Sequence, residues 1–295
     1  MRETVTARLA LDARAEAGES PWWSAAEQCL YWVDIHQRRV HRFDPVSGVD
    51  REWTTPDLVT FVATCSGGGH VVALSDRVCH VDLHTGEYRT IARLRLPPGG
   101  RLNDGAVDPR GRLLIGAMTA PEAPHKEAAL FRIDRDGSCT LLLNGFRTVN
   151  GLAFAPDGRT LYVSDSHPEI RTIWAYTYDP VRGAARSRRV FVKTHELPGR
   201  PDGGCVDAEG SYWMAAVDGG CLLRIGPSGE VLTSLVVPVE KPSKAAFGGS
   251  NLDLLFITSL RRNLRRPLEA QPHAGGLFVA EPGVRGITLS DCDLQ

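Results

Sequence analysis

Short apolar runs separated by Gly, Pro, Asp and Asn follow one another along the chain, and a 3.6-residue spacing of apolar positions is scarce. This pattern predicts many short β-strands and few helices. Six of the runs resemble one another and recur at intervals of roughly 40 to 50 residues, a spacing typical of repeat architectures. They are LYWVDI from Leu30, VVALSD from Val71, LLIGAM from Leu113, LYVSDS from Leu161, YWMAAV from Tyr212 and LLFITS from Leu254.

A second strand-like run follows each of these six, and turn signals such as Asp44-Pro45 and Asp179-Pro180 close most of the second runs. A repeat that holds about four short strands is the signature of a propeller blade. Six copies therefore predict an all-β fold, a six-bladed β-propeller that forms a single domain over residues 1–295. The segment from Thr6 to Ala15 precedes the first copy, and we expect it to complete the last blade and close the ring.

Composition narrows the class of protein. Lys and Arg total 34 against 35 Asp and Glu, giving a net charge of −1, which argues against a nucleic-acid partner and against an acidic disordered chain. The seven Cys are scattered and form no C-x-x-C pair, so neither a disulfide framework nor a cysteine zinc site is expected. Without an apolar run long enough for a signal peptide or a membrane span, we predict a cytoplasmic protein with no membrane partner. The oligomeric state is not predicted.

Polar residues recur at one position of the repeat. Stepping back ten or eleven residues from each of the six runs gives Glu19, Phe61, Asn103, Asn150, Asp202 and Lys244. In a propeller this position lies on the innermost strand of each blade, and equivalent positions share one height around the channel. For a single member, an Asn-Gly or Asp-Gly turn at the start of the strand explains the residue equally well. For the whole set a turn signal explains neither Glu19 nor Lys244.

A divalent cation would explain why carboxylates and an amide converge on a narrow channel. Glu19, Asn150 and Asp202 offer three hard oxygen ligands, which suit Ca²⁺, Mg²⁺, Mn²⁺ or Fe²⁺, with Zn²⁺ also left open. Three protein ligands leave coordination positions for water and a substrate, as in catalytic metal sites. The sequence therefore predicts a metal site in the central channel.

The motifs resemble those of the gluconolactonase/regucalcin (senescence marker protein) family of six-bladed propellers. They extend over nearly the whole chain: GESPWW (18–23), LYWVDI (30–35), RLNDGAVDPRGRLLIGAM (101–118), NGLAFAPDGRTLYVSDS (150–166), PDGGCVDAEGSYWMAAV (201–217) and FGGSNLDLLFITS (247–259). The resemblance implies a divalent metal on Glu19, Asn150 and Asp202, and sugar-lactone contacts from Arg101 and Asn103. It also implies hydrolysis of an aldonolactone, such as a glucono-, arabino-, xylono- or galactonolactone, to the aldonic acid.

In this hypothesis Asp202 has a second role, as the general base on the attacking water and the acid toward the leaving ring oxygen. Family members often carry an acidic residue after the strand equivalent to LLIGAM, a position for which Glu122 is the candidate here. His167 also falls on the predicted site face, either as a substrate contact or as an ordinary surface residue.

Two long loops, Thr119 to Ala128 and Leu260 to Gly276, are predicted to overhang the same face as lids or as plain surface loops. Lys244 either meets an anionic substrate or offsets the carboxylates, and with the arginines of the second loop it leaves open an acidic or sulfonated sugar lactone. Two other functions stay open: a non-catalytic calcium-binding regulatory propeller, and a related propeller esterase or phosphotriesterase.

Overall fold

The computed structural model describes residues 5–120 and 127–294. These residues form six four-stranded antiparallel sheets, which confirms the predicted all-β, six-bladed β-propeller. The strands are, in chain order, β1 (Arg8–Leu11), β2 (Gly18–Ser24), β3 (Cys29–Asp34), β4 (Arg39–Phe43), β5 (Asp50–Thr54), β6 (Val59–Thr64), β7 (His70–Leu74), β8 (Arg77–Asp82), β9 (Glu87–Arg93), β10 (Arg101–Val107), β11 (Leu113–Met118), β12 (Ala128–Ile133), β13 (Cys139–Phe146), β14 (Val149–Phe154), β15 (Thr160–Asp165), β16 (Thr172–Asp179), β17 (Ala184–Lys193), β18 (Arg200–Val206), β19 (Tyr212–Val217), β20 (Cys221–Ile225), β21 (Val231–Val236), β22 (Pro242–Gly248), β23 (Leu254–Ser259) and β24 (Leu277–Ala280).

The first five blades are built from consecutive strands, β2 to β5 through β18 to β21, and the sixth combines β22, β23 and β24 with β1. The N-terminal strand pairs with β24 in the register Arg8↔Val279 and Leu9↔Phe278. This confirms the expected closure by the segment from Thr6 to Ala15. Each inner strand contacts the next one around the ring, in the order β2, β6, β10, β14, β18, β22 and back to β2. The six blades therefore form a closed ring.

Burial explains why the six repeated runs are continuously apolar. They are the second strands of the blades, and neighbouring blades cover both of their faces, so nearly every residue is buried. The outer strands of the first five blades are mostly exposed or half-buried. Four tryptophans that the sequence places in strands are buried in this core: Trp22, Trp23, Trp32 and Trp213.

All six inner strands carry a register shift near their start, at the predicted channel position. The shifts lie between Glu19 and Trp22, Val59 and Phe61, Leu102 and Gly105, Asn150 and Ala153, Pro201 and Gly204, and Pro242 and Lys244. A β-bulge bends the strand and redirects its side chains. The Asn-Gly and Asp-Gly pairs therefore lie inside strands at bulges, and the alternative interpretation as turns before the strands is wrong.

We call the end of the channel where the inner strands begin the upper mouth, and the opposite end the lower end. The C-terminal segment 286–294 crosses the lower end. Its backbone forms isolated β-bridges there, from Gly286 to Asp207 of the fifth blade and from Cys292 to Cys65 of the second. Ile287 and Leu289 of this segment line a small apolar cavity inside the channel together with Trp22, Phe61 and Phe247. Among the described residues, no helical segment has the length and hydropathy of a membrane span.

Candidate active site at the upper mouth

Asn150 and Asp202 meet at the upper mouth, on the adjacent inner strands β14 and β18. The side-chain amide of Asn150 donates a hydrogen bond to Oδ1 of Asp202, and the two residues are only 4% and 8% exposed. Hydrogen bonds to their backbones hold both bulges in place: Tyr212 donates to the Gly151 carbonyl at 2.8 Å, and Ser164 to the Asp202 carbonyl at 3.3 Å. The two side chains are thus held in one position by the strands around them.

Glu19 reaches the same region from β2 of the first blade. Burial raises its pKa well above the usual range, and the negative charges of Asp202 and Asp104 raise it further. The positive charge of Lys244 and the Ser20 N–H, which donates to Oε2 at 3.0 Å, act in the opposite direction. The charge of Asp202 acts on Glu19, so these two carboxylates share one electrostatic environment although they are far apart in the sequence.

Asp202 is itself perturbed in a way that a bound cation would relieve. Burial raises its pKa to about 7, the positive charge of Arg200 lowers it, and the carboxylate of Asp104 raises it again. Two buried carboxylates in one environment repel each other, and a divalent cation is the partner that best offsets this cost.

The donor set fits a cation only if the amide takes part. Within residues 5–120 and 127–294, no group of three or more His, Cys, Asp and Glu side chains could hold a metal ion. Two carboxylates, Glu19 and Asp202, together with the amide oxygen of Asn150 make a hard-oxygen donor set of the kind that Ca²⁺ and Mg²⁺ use. The residues present therefore fit the predicted ion, and ligation by these three residues stays a prediction.

Arg101 and Asn103 lie side by side at the start of β10. Nη1 of Arg101 donates to Oδ1 of Asn103 and to the Leu102 carbonyl, both at 2.8 Å, and Asn103 donates to the Val149 carbonyl of the next blade at 3.0 Å. Burial lowers the pKa of Arg101 to about 10, while the charges of Glu19 and Asp202 act to raise it. Arg101 therefore stays charged at neutral pH, within electrostatic range of both carboxylates.

Lys244 spans the channel to contact Asp104. Its Nζ donates to Oδ1 of Asp104 and, at 3.2 Å, to the carbonyl of Gly105, while Oδ2 of Asp104 accepts from the Leu152 N–H at 2.8 Å. The third and sixth blades face each other across the ring, so this buried pair crosses the channel. Of the two roles considered for Lys244, the structure shows a contact with a carboxylate.

Sequence reasoning missed Asp104. The repeat position selects Asn103, and strict strand alternation would turn the neighbouring side chain away from the channel. The bulge between Leu102 and Gly105 breaks this alternation. The available signal was the Asp104-Gly105 pair, because a polar residue before a glycine in an inner strand recurs at Asn150-Gly151 and Asp202-Gly203.

The remaining candidates have simpler surroundings. Phe61, the apolar member of the set, is buried edge-on against Trp22. The backbone N–H of His167 donates to Asp165 at 3.0 Å, and its ring Nδ1 accepts from the Glu169 N–H at 3.3 Å within the same turn. Glu122 lies outside the described residues. In the loop from Leu260 to Gly276, Arg262 carries a charge that lowers the pKa of Arg101, so this part of the loop lies near the upper mouth.

The fold and the polar mouth together define a class of protein, six-bladed propellers whose candidate site is formed by inner-strand residues at one end of the channel. The chain belongs to the SMP-30/Gluconolactonase/LRE-like family, whose model matches residues 17–261. This confirms the family resemblance found in the sequence motifs.

Two relatives and one solved structure illustrate the similarity. The chain is 36% identical over 255 residues to the pentonolactonase XacC of Haloferax volcanii, covering 86% of this chain and 85% of that protein. It is 36% identical over 276 residues to a 6-deoxy-6-sulfogluconolactonase of Pseudomonas putida, covering 91% and 92%. A regucalcin of Agrobacterium tumefaciens, described as a calcium-binding protein, superimposes with a TM-score of 0.91 at 27% identity over 98% of this chain and 99% of that one. The two lactonases support the expectation of an ester-hydrolysing enzyme.

Proposed function

We propose that the protein is a metal-dependent sugar lactonase that hydrolyses an aldonolactone to the aldonic acid. The observation that carries the proposal is the contact of Asn150 with Asp202 at the upper mouth, beside a Glu19 whose pKa is raised by burial and by the charge of Asp202. The two lactonases that are 36% identical to this chain support the reaction type. We further propose that it acts in the cytoplasm on a small molecule, as a single domain over residues 1–295.

Glu19, Asn150 and Asp202 would hold the divalent cation. A cation bound there supplies Lewis-acid polarisation of the ester carbonyl, a contribution worth several kcal/mol. Their hard oxygens favour Ca²⁺, Mg²⁺, Mn²⁺ or Fe²⁺, and Zn²⁺ is the borderline case.

Asp202 would act as the general base and then as the general acid. The carboxylate accepts a proton from the water that attacks the lactone carbonyl carbon, and returns it to the ring oxygen when the ester C–O bond breaks. The balance is one lactone and one water giving one hydroxy acid. The Asn150 amide holds the carboxylate and the Ser164 hydroxyl holds the Asp202 backbone carbonyl, so that little reorganisation is needed during the reaction.

Arg101 and Asn103 would bind the substrate. Their mutual hydrogen bond and the contact of Asn103 with the Val149 carbonyl hold them rigidly at the start of β10. A charged guanidinium and an amide are suitable partners for sugar hydroxyls and for a carbonyl oxygen on which negative charge develops.

The test is a pH-indicator assay on a panel of five- and six-membered sugar lactones, using metal-stripped protein with single divalent cations added back. We expect at least one lactone to be opened only after addition of a cation that prefers oxygen ligands. Asp202→Asn should lower turnover by at least about 100-fold, the contribution of a positioned general base. The matched control Asp253→Asn, in the β22–β23 connection at the lower end, should leave turnover unchanged. Full activity in folded Asp202→Asn protein would refute the assignment.

A second function, a non-catalytic calcium-binding propeller, is favoured by one observation, the structural match to a regucalcin described as calcium-binding. The same experiment separates the two functions. Ca²⁺ binding by the wild-type protein, measured by calorimetry and abolished in Asp202→Asn, with no hydrolysis of any lactone, would establish the second function.

A further inference from the structure

A cluster of positive charges lies beside the candidate site, on the upper face between the fifth and sixth blades. The carboxylate of Asp218 accepts from three cations: Lys241 at Oδ1, and Arg200 and Arg265 at Oδ2, at 3.0 and 3.3 Å. The Asp218 side chain is 3% exposed and that of Lys241 is 8% exposed, whereas Arg265 is 70% exposed. One buried carboxylate is thus shared by three positive charges that reach from the interior to solvent.

The neighbouring groups do not cancel this excess. Glu240 adds one negative charge, but its two oxygens accept the backbone N–H groups of Arg265 and Arg266, at 2.6 and 2.8 Å. Arg171 adds a further positive charge, and its Nη2 is directed at backbone carbonyls that include that of Thr194, at 2.6 Å. Counting these groups gives four cations against two carboxylates.

These cations line a pocket that opens next to the site. The pocket has a volume of about 490 Å³, and its lining includes Arg171, Arg200, Asp218, Lys241, Asn263 and Arg265. Arg200 stands two residues before Asp202 on β18, and the charges of both Arg200 and Asp218 act on Asp202. A ligand whose reacting group lies at Asp202 could therefore extend a substituent into this pocket, which we name the cationic pocket.

We propose that the cationic pocket binds an anionic substituent of the substrate, a sulfonate, phosphate or carboxylate carried away from the ring ester. This inference rests on the proposed lactonase function and specifies its substrate class. Guanidinium groups bind tetrahedral and planar oxyanions through paired hydrogen bonds, and an ammonium adds a point charge. The 36% identity to a relative named for a sulfonated lactone agrees with this assignment.

The alternative is that the cations only fasten the loop from Leu260 to Gly276 to the fifth blade. The two roles predict different kinetics. A fastening role predicts equal losses for neutral and charged substrates, whereas an anion-binding role predicts a loss confined mainly to the charged ones and expressed in KM.

The experiment compares kcat and KM for glucono-δ-lactone, its 6-phosphate and 6-sulfonate counterparts, and an aldaric acid lactone. We expect wild-type protein to prefer at least one anionic lactone. Arg265→Gln should lower the anionic-to-neutral ratio of kcat/KM by about tenfold, mainly through KM, as expected for loss of a charge-assisted hydrogen bond. Arg265→Glu should lower it further. The high exposure of Arg265 protects the fold from either change, and Arg285→Gln at the exposed lower side serves as the matched control.

Each outcome bears on the proposal. A preference among the anionic lactones identifies which oxyanion the pocket takes and supports it, provided that Arg265→Gln removes that preference. Hydrolysis of the neutral lactone in preference to all the anionic ones, or an unchanged ratio in both Arg265 variants, overturns the inference and leaves the lactonase function standing. Failure to open any lactone overturns both.

Discussion

The two ends of the channel are built from the same six inner strands and have opposite chemistry. At the upper mouth, the half-buried carboxylate of Glu19 and the buried carboxylate of Asp202 lie in one electrostatic environment with the amide of Asn150. Toward the lower end, the channel holds an apolar cavity lined by aromatic side chains and by Ile287 of the C-terminal segment. The ion pair of Lys244 with Asp104 crosses the channel between the two regions.

The lower end of the channel contributes to the stability of the fold, whereas the upper mouth carries the candidate catalytic groups. Apolar burial at the lower end stabilises the ring, because each aromatic side chain removed from water contributes to the free energy of folding. Grouped buried carboxylates at the upper mouth have the opposite effect until a cation binds. Sites of this kind commonly lower stability in exchange for activity.

The largest expected effect on stability comes from the ion pair of Lys244 with Asp104, which lies between the two regions. Lys244→Met should lower the free energy of unfolding by about 3–5 kcal/mol, because it leaves the Asp104 carboxylate buried without its charged partner. Chemical denaturation monitored by fluorescence measures this loss. Lys193→Met, on the exposed edge strand β17, is the control and should change stability little. An equal effect of the two substitutions would show that the cross-channel pair contributes nothing.

The second prediction concerns acid sensitivity at the lower end. His70 is buried, neither of its ring nitrogens has a hydrogen-bond partner, and its ring lies 4.4 Å from that of Tyr31. Burial lowers its pKa from 6.5 to about 4, Glu27 and Asp82 act to raise it, and His80 and His84 to lower it. Between these values the unfolded chain binds more protons, so stability is complete above pH 6.5 and falls as the pH drops toward 4.

The loss due to His70 should approach about 3 kcal/mol near pH 4, the free-energy equivalent of this pKa difference. His70→Phe should remove this component, which thermal unfolding measured from pH 7 to 4 will show. His84→Gln, which changes an exposed histidine in the nearby β8–β9 turn, should retain it. Identical pH dependence in wild-type and His70→Phe protein would contradict the prediction.

The third and smallest prediction tests the cost of the upper mouth directly. In metal-stripped protein, Asp202→Asn should raise the free energy of unfolding by about 1 kcal/mol, since it removes a buried carboxylate that repels the half-buried carboxylate of Glu19. Calorimetry of the metal-stripped wild-type and variant proteins measures the difference. A decrease in stability would mean that the carboxylate is already compensated by its protein neighbours, and the contrast between the two ends would lose its energetic basis.

The sequence predicted the blades, the closing strand and the inner-strand positions because the propeller repeats one local pattern. Fully buried second strands give continuous apolar runs, and residues at the same phase, such as Asn150 and Asp202, are brought together by the ring. The contact of Asp104 with Lys244 was not predictable in this way, since it joins opposite blades and depends on a bulge that breaks side-chain alternation.

The charge cluster around Asp218 and the course of segment 286–294 were also beyond the sequence pattern. Arg200 begins β18 and Lys241 directly precedes β22, whereas Arg265 lies in the loop from Leu260 to Gly276, and no sequence pattern relates this loop residue to the other two. The C-terminal segment forms no strand and makes only isolated backbone β-bridges, such as that of Cys292 with Cys65. Irregular segments of this kind are positioned by tertiary contacts, which a single sequence does not reveal.

The pairing of β1 with β24 has a consequence for how the ring is made and undone. Because the last sheet needs strands from opposite ends of the chain, assembly cannot finish until both ends have found each other, a contact of very long sequence separation that slows folding. We expect unfolding of the ring to begin with separation of β1 from β24. The unfolding rate of the native protein should therefore depend on how often this pair of strands separates.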